Sequence, residues 1–525
     1  MNPSAKYILS IDLGTSGPKV ALVSTDGEIA GHFFAPVPLI LLPGGGAEQD
    51  AQKWWRAICE ASCRAIENAR ISPSEIIAVS ASAQWSGTVA VDRDGRLLAN
   101  AIIWLDSRGS AGIRKQVRGL INIMGYGPFK ILRWLRLTGG APGLSGKDPV
   151  AHILYLKTNR PELYRSAYKF LEPKDYINFC LTGRFCATAD SITLHWVTDN
   201  RDINNIVYDD ALIRMSGLDR EKLPDLVRAV DIIGEVKKDA AECLGIRPGI
   251  PVIGGTPDVQ AAAIGSGAVD DFSPHLYLGT SSWLTCHVPF KKTDIVHSIA
   301  SLPSAIPGRY FVADEQETAG ACLNYLKDTM FFADDGLTGK APKDVYRLFD
   351  ELAAASVPGA NSVIFTPWLF GERTPVDDHT VRAGFYNQSL STTRADLVRA
   401  VFEGVALNGR WLLCCVEGFV KKRLDPIRVI GGGALSDIWC RIYADVFNRT
   451  VCRVKDPVLA NVRGAGLLAA VALDHIRFSD ISTLIPMEKT WEPDPENTSL
   501  YDEHFSIFKQ IYRKNRKIYA RLNDT

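Results

Sequence analysis

Residues 251–285 read PVIGGTPDVQAAAIGSGAVDDFSPHLYLGTSSWLT, and the order of their parts decides the fold. Residues 251–253 form a short apolar strand. Gly254 and Gly255 follow; glycine reaches positive φ without strain, so a sharp turn is predicted there. Asp258 opens a run of small residues, Ala261, Ala262, Ala263 and Gly265, whose side chains let a helix lie close to its neighbours. Taken alone, an aspartate at a helix start is an N-cap accepting from free N–H groups. A second strand, 275–278, runs into another turn, Gly279-Thr280-Ser281-Ser282.

That second turn has a twin. Residues 7–16 read YILSIDLGTS and residues 273–281 read SPHLYLGTS, two apolar strands ending in Leu-Gly-Thr-Ser. Gly14 and Gly279 stand 265 residues apart, about half of the 525-residue chain, which points to a duplicated domain. Either turn alone is a plain hairpin. As a pair, their backbone N–H groups and hydroxyls form concave donor sets of the kind that cradle phosphate. Asp12 ends its strand beside the first turn. A carboxylate cannot bind phosphate directly, but it can hold hydrated magnesium that does.

A chain of this length exceeds one core, so two domains are expected, 1–265 and 266–525. Lys+Arg and Asp+Glu both number 59, giving a formal charge of 0 and no sign of a nucleic-acid or membrane partner. The amino terminus, MNPSAKYILSIDLG, enters a strand at once and has no basic region before a long apolar run, so no secretory leader is expected. Eleven cysteines without CxxC spacing suggest a reducing, cytoplasmic setting.

Along the chain, 19–23 is the return strand of the first hairpin, and Asp26-Gly27 turns it again. Ala51–Ala69 has helical periodicity, with Trp54, Trp55, Ile58, Cys59 and Ile66 on its core side. Strands are predicted at 76–80, 89–91 and 102–105. Gln84-Trp85-Ser86 and Asp106-Ser107-Arg108 follow strand ends, where an α/β sheet holds its ligands. The alternative for Trp85 is core packing, and for Asp106 and Arg108 a local ion pair. Gly139–Lys147 fails as a phosphate loop because Ala141 and Asp148 stand where Gly and Ser/Thr are needed. Residues 199–250 read as polar and helical, 319–329 and 394–415 as helices, and 371–375 as a charged turn. Gly431-Gly432-Gly433, between strand and helix, lets a ring or ribose touch the backbone. Ser436 replaces the third glycine of a dinucleotide fingerprint. A last small-residue helix is predicted over 467–472.

These residues resemble the FGGY carbohydrate kinases of the actin-like, ribonuclease H-like ATPase superfamily, with xylulokinases nearest in character. The resemblance is carried, in order, by IDLGTSGPKV (11–20), QWSG (84–87), WLDSR (104–108), PKDYINFCLTG (173–183), GGTPDVQAAAIG (254–265), LGTSSW (278–283), AGACLNYLKD (319–328), ERTP (372–375), AGFYNQSLSTTRADLVRAVFEG (383–404) and VIGGGALSDIWCRIYADV (429–446). It implies an α/β protein of two ribonuclease H-like domains around a cleft, transferring the γ-phosphoryl of ATP to a hydroxyl of a small carbohydrate. Asp258 would be the catalytic base and Asp12 would organise Mg2+. Gly14, Thr15, Ser16, Lys19, Gly279, Thr280 and Ser281 would face the phosphates; Gly320, Asn324, Gly432, Gly433 and Asp437 would hold the nucleoside. Gln84, Trp85, Ser86, Asp106 and Asp258 would meet the acceptor. A homodimer is the candidate assembly.

Three departures bear on this. Xylulokinases carry Met-His where this chain has Trp85-Ser86, and Asn after the base where it has Val259. The acidic-alanine opening of the last helix is replaced by Asn461-Val462-Arg463. The acceptor could equally be a polyol, cyclitol or sugar acid. The rival class is an actin-like ATPase that transfers nothing, since a fold alone does not give function.

Overall fold

The computed structural model describes residues 6–336 and 339–523; residues 1–5 of the amino-terminal stretch read for a leader lie outside them. The first sheet has six strands in the order β5-β6-β4-β1-β2-β3. Here β1 is Tyr7–Gly14, β2 Gly17–Ser24, β3 Ile29–Phe34, β4 Ile76–Ala83, β5 Ile232–Glu235 and β6 Pro251–Pro257. β1, β2 and β3 form an antiparallel meander, β1, β4 and β6 run parallel, and β5 closes the edge antiparallel. The second sheet repeats this logic in the order β8-β7-β9-β10-β11. Its strands are β7 His275–Leu278, β8 Ser282–Thr285, β9 Ile427–Ile430, β10 Val451–Val454 and β11 Met487–Trp491. A hairpin leads, two parallel strands follow, and an antiparallel strand closes. The half-length repeat in sequence is therefore a repeat in topology.

Strand alternation sorts β1 into two faces. Leu9, Ile11 and Leu13 pack with Trp54 and Ile58 of helix α1, Ala51–Ala69. Ser10 donates to the Val462 carbonyl on the opposite side, where Ile8 packs with Ala469 and Ala470. Asp12 shares that second face. Asp50 caps α1 by accepting from Gln52 N at 2.9 Å. Trp55, Cys59 and Ile66, expected on the core side, lie half-buried at the edges of its stripe.

Further helices are α2, Pro128–Leu137; α3, Pro173–Thr182; α4, Asp258–Gly265; α5, Arg394–Val420; α6, Asp437–Phe447; α7, Ala460–Ala472; and α8, Pro495–Asn523. α4 and α7 meet at the junction of the halves. A Cβ added to Gly265 would stand 1.7 Å from Ala460 O, and one on Gly464 1.8 Å from Ala261 O, so the two backbones touch. Ala262 and Ile264 of α4, Leu467 and Leu468 of α7, Ile430 of β9 and Val454 of β10 share one buried cluster.

Several expectations are corrected. Gly254 and Gly255 do not turn the chain; they form a bulge inside β6, whose register against β4 shifts between Ile253 and Thr256. Gly255 has φ +73°, and a Cβ there would lie 2.1 Å from Ala81 O. The bulge lets Lys174 Nζ and Asn178 Nδ2 of α3 donate to Gly254 O at 2.9 and 2.7 Å. The stretch 199–250 mixes short strands with short helices, because Asp225–Val227 pairs with Cys186–Thr188 and Ile232–Glu235 pairs with β6. Strand 102–105 shrinks to Ala101–Ile102, the 319–329 helix becomes Ala321–Tyr325 followed by a π turn at Leu326–Phe331, α5 runs to Val420, and α7 begins at Ala460. The small-residue helix is not the last, since α8 follows it.

Candidate active site

β1 delivers Asp12 to the end of the first sheet, on the α7 face. Ser82 of β4, the cross-strand partner of Asp12, donates its hydroxyl to Asp12 Oδ1 at 2.8 Å. Burial pushes the Asp12 carboxyl above its ordinary value, against the stabilising pull of Lys19, Ser82 and the side chain of Asn461. Lys19 Nζ donates to Val458 O at 2.9 Å, reaching the segment that enters α7. At the turn, Thr15 is already engaged. Its hydroxyl receives Trp104 Nε1–H at 2.9 Å and donates to Gln84 Oε1 at 3.3 Å, and Gln49 Nε2 donates to its carbonyl at 2.7 Å. Ser16 is exposed at the tip, beyond Gly14.

Asp258 begins α4 directly after Pro257 ends β6. It is the first helical residue rather than the N-cap, and its Oδ1 accepts from Val259 N at 2.8 Å. The Asp258 carboxyl is pushed up to about 8, first by burial, then by the charge of Asp12, with Glu315 adding to it. Asp12, Asp258 and Glu315 thus share one electrostatic neighbourhood. Glu315 is held by Arg373, at 2.5 Å, in the charged turn predicted at 371–375. The adjacent Glu372 is buried, pushed up to about 8 by desolvation, and accepts from Asn408 Nδ2 and from the backbone N–H groups of Glu317 and Arg373. Sequence reasoning missed Ser82, Asn461 and Glu315. Asn461 alone carried a signal, the departure at the opening of the last family helix.

On the acceptor side, Gln84 is buried and ties Gln49, at 2.9 Å, to Thr15, so the two predicted stretches form one network. Trp85 Nε1 donates to Ser191 O at 2.9 Å, which leaves only its ring face. Ser86, at φ +67°, gives its hydroxyl to Lys147 O at 2.8 Å. Asp106 is buried, and its oxygens accept from Ala47 N and Arg108 N, both at 2.9 Å, and from the Arg108 guanidinium, which also grips Glu48 at 2.6 Å. The ion-pair alternative holds for Asp106: its acceptor capacity is spent on positioning the loop. Lys147 stands with its ammonium 5.6 Å from the Phe370 ring centroid, within the field of Glu317 and Glu315.

In the second half, Tyr277 stacks on Trp283 at 4.0 Å beneath the turn Gly279-Thr280-Ser281. Gly320 N donates to Gly279 O at 2.8 Å, and Ala319 N and Ala321 N donate to Thr280 O. A Cβ on Gly320 would stand 2.6 Å from Gly279 O, so only glycine fits there. Gln316 and Ser282 exchange backbone hydrogen bonds, and Gln316 Nε2 donates to Asn408 O at 2.9 Å. Asn324 accepts from the Tyr346 hydroxyl. A Cβ on Gly432 would meet nothing within 4 Å, an open cradle, whereas one on Gly433 would press on Leu278 and Trp439. Asp437 pairs with Arg453 at 2.8 Å and Lys489 at 2.5 Å at the start of α6.

Among the described residues no group of three or more His, Cys, Asp or Glu gathers as a metal centre. Magnesium needs no such cage. It binds through one or two carboxylates and fills its octahedron with water and phosphate oxygens. Asp12, with Asp258 in its field, fits that demand.

The profile of the FGGY family of carbohydrate kinases, N-terminal domain, matches residues 7–265, and that of the C-terminal domain matches residues 276–473. A xylulose kinase of Staphylococcus epidermidis is 29% identical over 98% of this chain and 98% of its own, and one of Bacillus subtilis is 26% identical over 98% and 99%. Among solved structures, a gluconate kinase from Lactobacillus acidophilus superposes with a TM-score of 0.85 at 24% identity, covering 99% of this chain and all of its own. A ligand-bound xylulose kinase from the same species reaches 0.85 at 25% identity, covering 98% and 100%.

Proposed function

The chain belongs to the FGGY family of carbohydrate kinases and phosphorylates a sugar hydroxyl at the expense of ATP; from that premise we propose how its residues divide the work. Asp258 is the general base. A hydroxyl is a poor nucleophile until its proton has an acceptor within reach, and the best acceptor has a pKa near the working pH. The single observation that supports this assignment is the Asp258 carboxyl pushed up to about 8 beside Asp12, at the start of a helix on the junction of the two halves. The turns at Gly14–Ser16 and Gly279–Ser281 hold the phosphates through backbone N–H groups and the free hydroxyl of Ser16, with Lys19 adding charge. Asp12 holds magnesium, which when bound supplies positive charge to the phosphate oxygens. Gly320, Asn324, Gly432 and Gly433 receive the nucleoside, and Asp437 fixes the start of α6 through Arg453 and Lys489.

The acceptor meets more apolar surface than a xylulose site would offer. The Trp85 N–H and the Ser86 hydroxyl are committed to main-chain carbonyls, and Val259 adds no polar group next to the base. Sites that bond hydroxyls discriminate sharply, and apolar walls discriminate weakly. The xylulose kinase relatives support a sugar-type acceptor; the Trp85 face supports one larger or less polar than xylulose, with polyols, cyclitols and sugar acids included. An ADP-release screen over ketoses, polyols, cyclitols and sugar acids tests this. ADP formed only with an acceptor present is expected. ADP formed equally without one returns the chain to the non-transferring ATPase class.

A further inference from the structure

Between Asp106 and Asp148 the chain carries eight lysines and arginines and no aspartate or glutamate. The whole chain is neutral, so the balance of charge that argued against a membrane partner conceals a strong local excess. Lys115, Arg118 and Arg136 are exposed and make no ion pair or side-chain hydrogen bond among the described residues. Large apolar side chains stand between these cations: Leu120, Ile121, Ile123 and Met124 in the loop before α2, and Phe129 and Leu132 on α2 itself. Their exposure runs from 58% at Ile123 to 107% at Leu120. Soluble proteins scatter exposed apolar residues singly; a concentrated group with a polar rim marks an interaction surface.

The projection is built rather than frayed. Gly127 N donates to Val117 O at 2.9 Å and closes the neck of the loop, whose strands are bridged at Ile123 and Tyr126. The Tyr126 hydroxyl donates to Pro142 O at 2.7 Å, and Arg114 Nε donates to Leu144 O at 3.1 Å. α2 buries Trp134 and Leu137, which fixes the helix, while Phe129, Leu132, Arg133 and Arg136 face outward.

We propose that this loop and α2 form a docking surface for an anionic lipid bilayer. Anionic headgroups take the unpaired cations, and the apolar tips enter the boundary between headgroups and acyl chains. A second copy fits poorly, because a two-fold contact would set cations against cations. No described helix is long and apolar enough to cross a membrane, so the contact is interfacial. The surface is anchored on the 139–147 loop, whose Lys147 carbonyl receives the Ser86 hydroxyl. Docking therefore brings the acceptor side of the cleft beside the headgroups. Membrane docking itself does not depend on the kinase assignment; the placement of the acceptor side rests on the function proposed above.

The test is flotation of the full chain with vesicles of equimolar phosphatidylcholine and phosphatidylglycerol, against vesicles of phosphatidylcholine alone. Binding is expected to the anionic vesicles only and to weaken as salt rises. Lys115→Glu with Arg118→Glu should reduce partitioning by at least about fivefold per residue. Phe129→Ser with Leu132→Ser should reduce it by about tenfold per residue. Both double variants should keep the wild-type melting temperature and soluble-acceptor kinetics, since all four side chains are exposed or lie at the outer face. Wild-type protein that fails to float with anionic vesicles at low salt overturns the proposal. So does binding that ignores both variants, or a homodimer that these substitutions dissolve while no vesicle binding is seen.

Discussion

Asp258→Asn separates the chemistry of the site from its effect on stability. The Asp258 carboxyl is held at about 8 against an ordinary 3.8. The displacement of about 4.2 in pKa, at 1.36 kcal/mol each, sets a ceiling of about 6 kcal/mol on what the buried charge costs the fold. Because the folded value is raised, the folded chain binds a proton that the unfolded chain has lost. The destabilisation is absent below about pH 4, grows up to about pH 8, and is then constant. Asparagine removes it. The variant should therefore melt higher than wild type above about pH 8 and match it near pH 4. Turnover should fall by about 100-fold to 10,000-fold, the usual worth of a positioned base, while ATP affinity is kept. Calorimetry across pH, ADP release and nucleotide titration measure the three quantities. Near wild-type turnover would falsify the base assignment, and a melting temperature with no pH-dependent gain would refute the buried-charge account even if turnover fell.

The remaining predictions follow the same geometry. The kcat/KM profile of the wild type should rise with pH to a plateau near about 8, because the free enzyme must lose the Asp258 proton; Asp12→Asn should move that limb downward by removing a neighbouring charge, and should raise the magnesium concentration needed for half-maximal rate. A limb unmoved by Asp12→Asn would mean the two carboxylates do not sense each other. Trp85→Ala should change the ranking of acceptors in kcat/KM while leaving the ATP KM alone; an unchanged ranking would make Trp85 packing only. Gly464→Ala places a methyl 1.8 Å from the Ala261 carbonyl, a backbone atom that cannot rotate away, so a loss of about 3 kcal/mol or more is expected by denaturant titration. A stable Gly464→Ala protein would show that α4 and α7 can separate.

Much of this was written locally. Both LGTS turns stand at the ends of apolar strands, and strand alternation puts Asp12 opposite Leu13 and Ile11 without any tertiary information. Asp258 was legible because a strand, a carboxylate and a small-residue helix follow one another. Gly254 and Gly255 misled because adjacent glycines serve a turn or a bulge equally well, and only the partner strand β4 distinguishes them. Asn461 was marked only as a departure from the family pattern: its pairing with Asp12 comes from the other end of the chain, and no local pattern encodes it. Asp106 was half legible. Arg108 two residues on announced the ion pair, but the Ala47 N–H that donates to Asp106 and the Glu48 carboxylate that takes Arg108 are supplied by a distant strand.

The backbone contact between Gly265 and Gly464 determines which parts of the site can move. α4 carries Asp258 at its first residue, and α7 carries Asn461 near its own start, bonded to Asp12. Two helices touching carbonyl to glycine leave no side chain to slide over, so they travel together. Asp258, Asp12 and the first turn are thereby held in one fixed geometry. The second turn, Gly279–Ser281, follows β7, whose sheet is packed on the same two helices through Ile430 and Val454. A motion that carried the second turn toward Asp258 would therefore have to repack that cluster or bend the second sheet, rather than slide one half over the other.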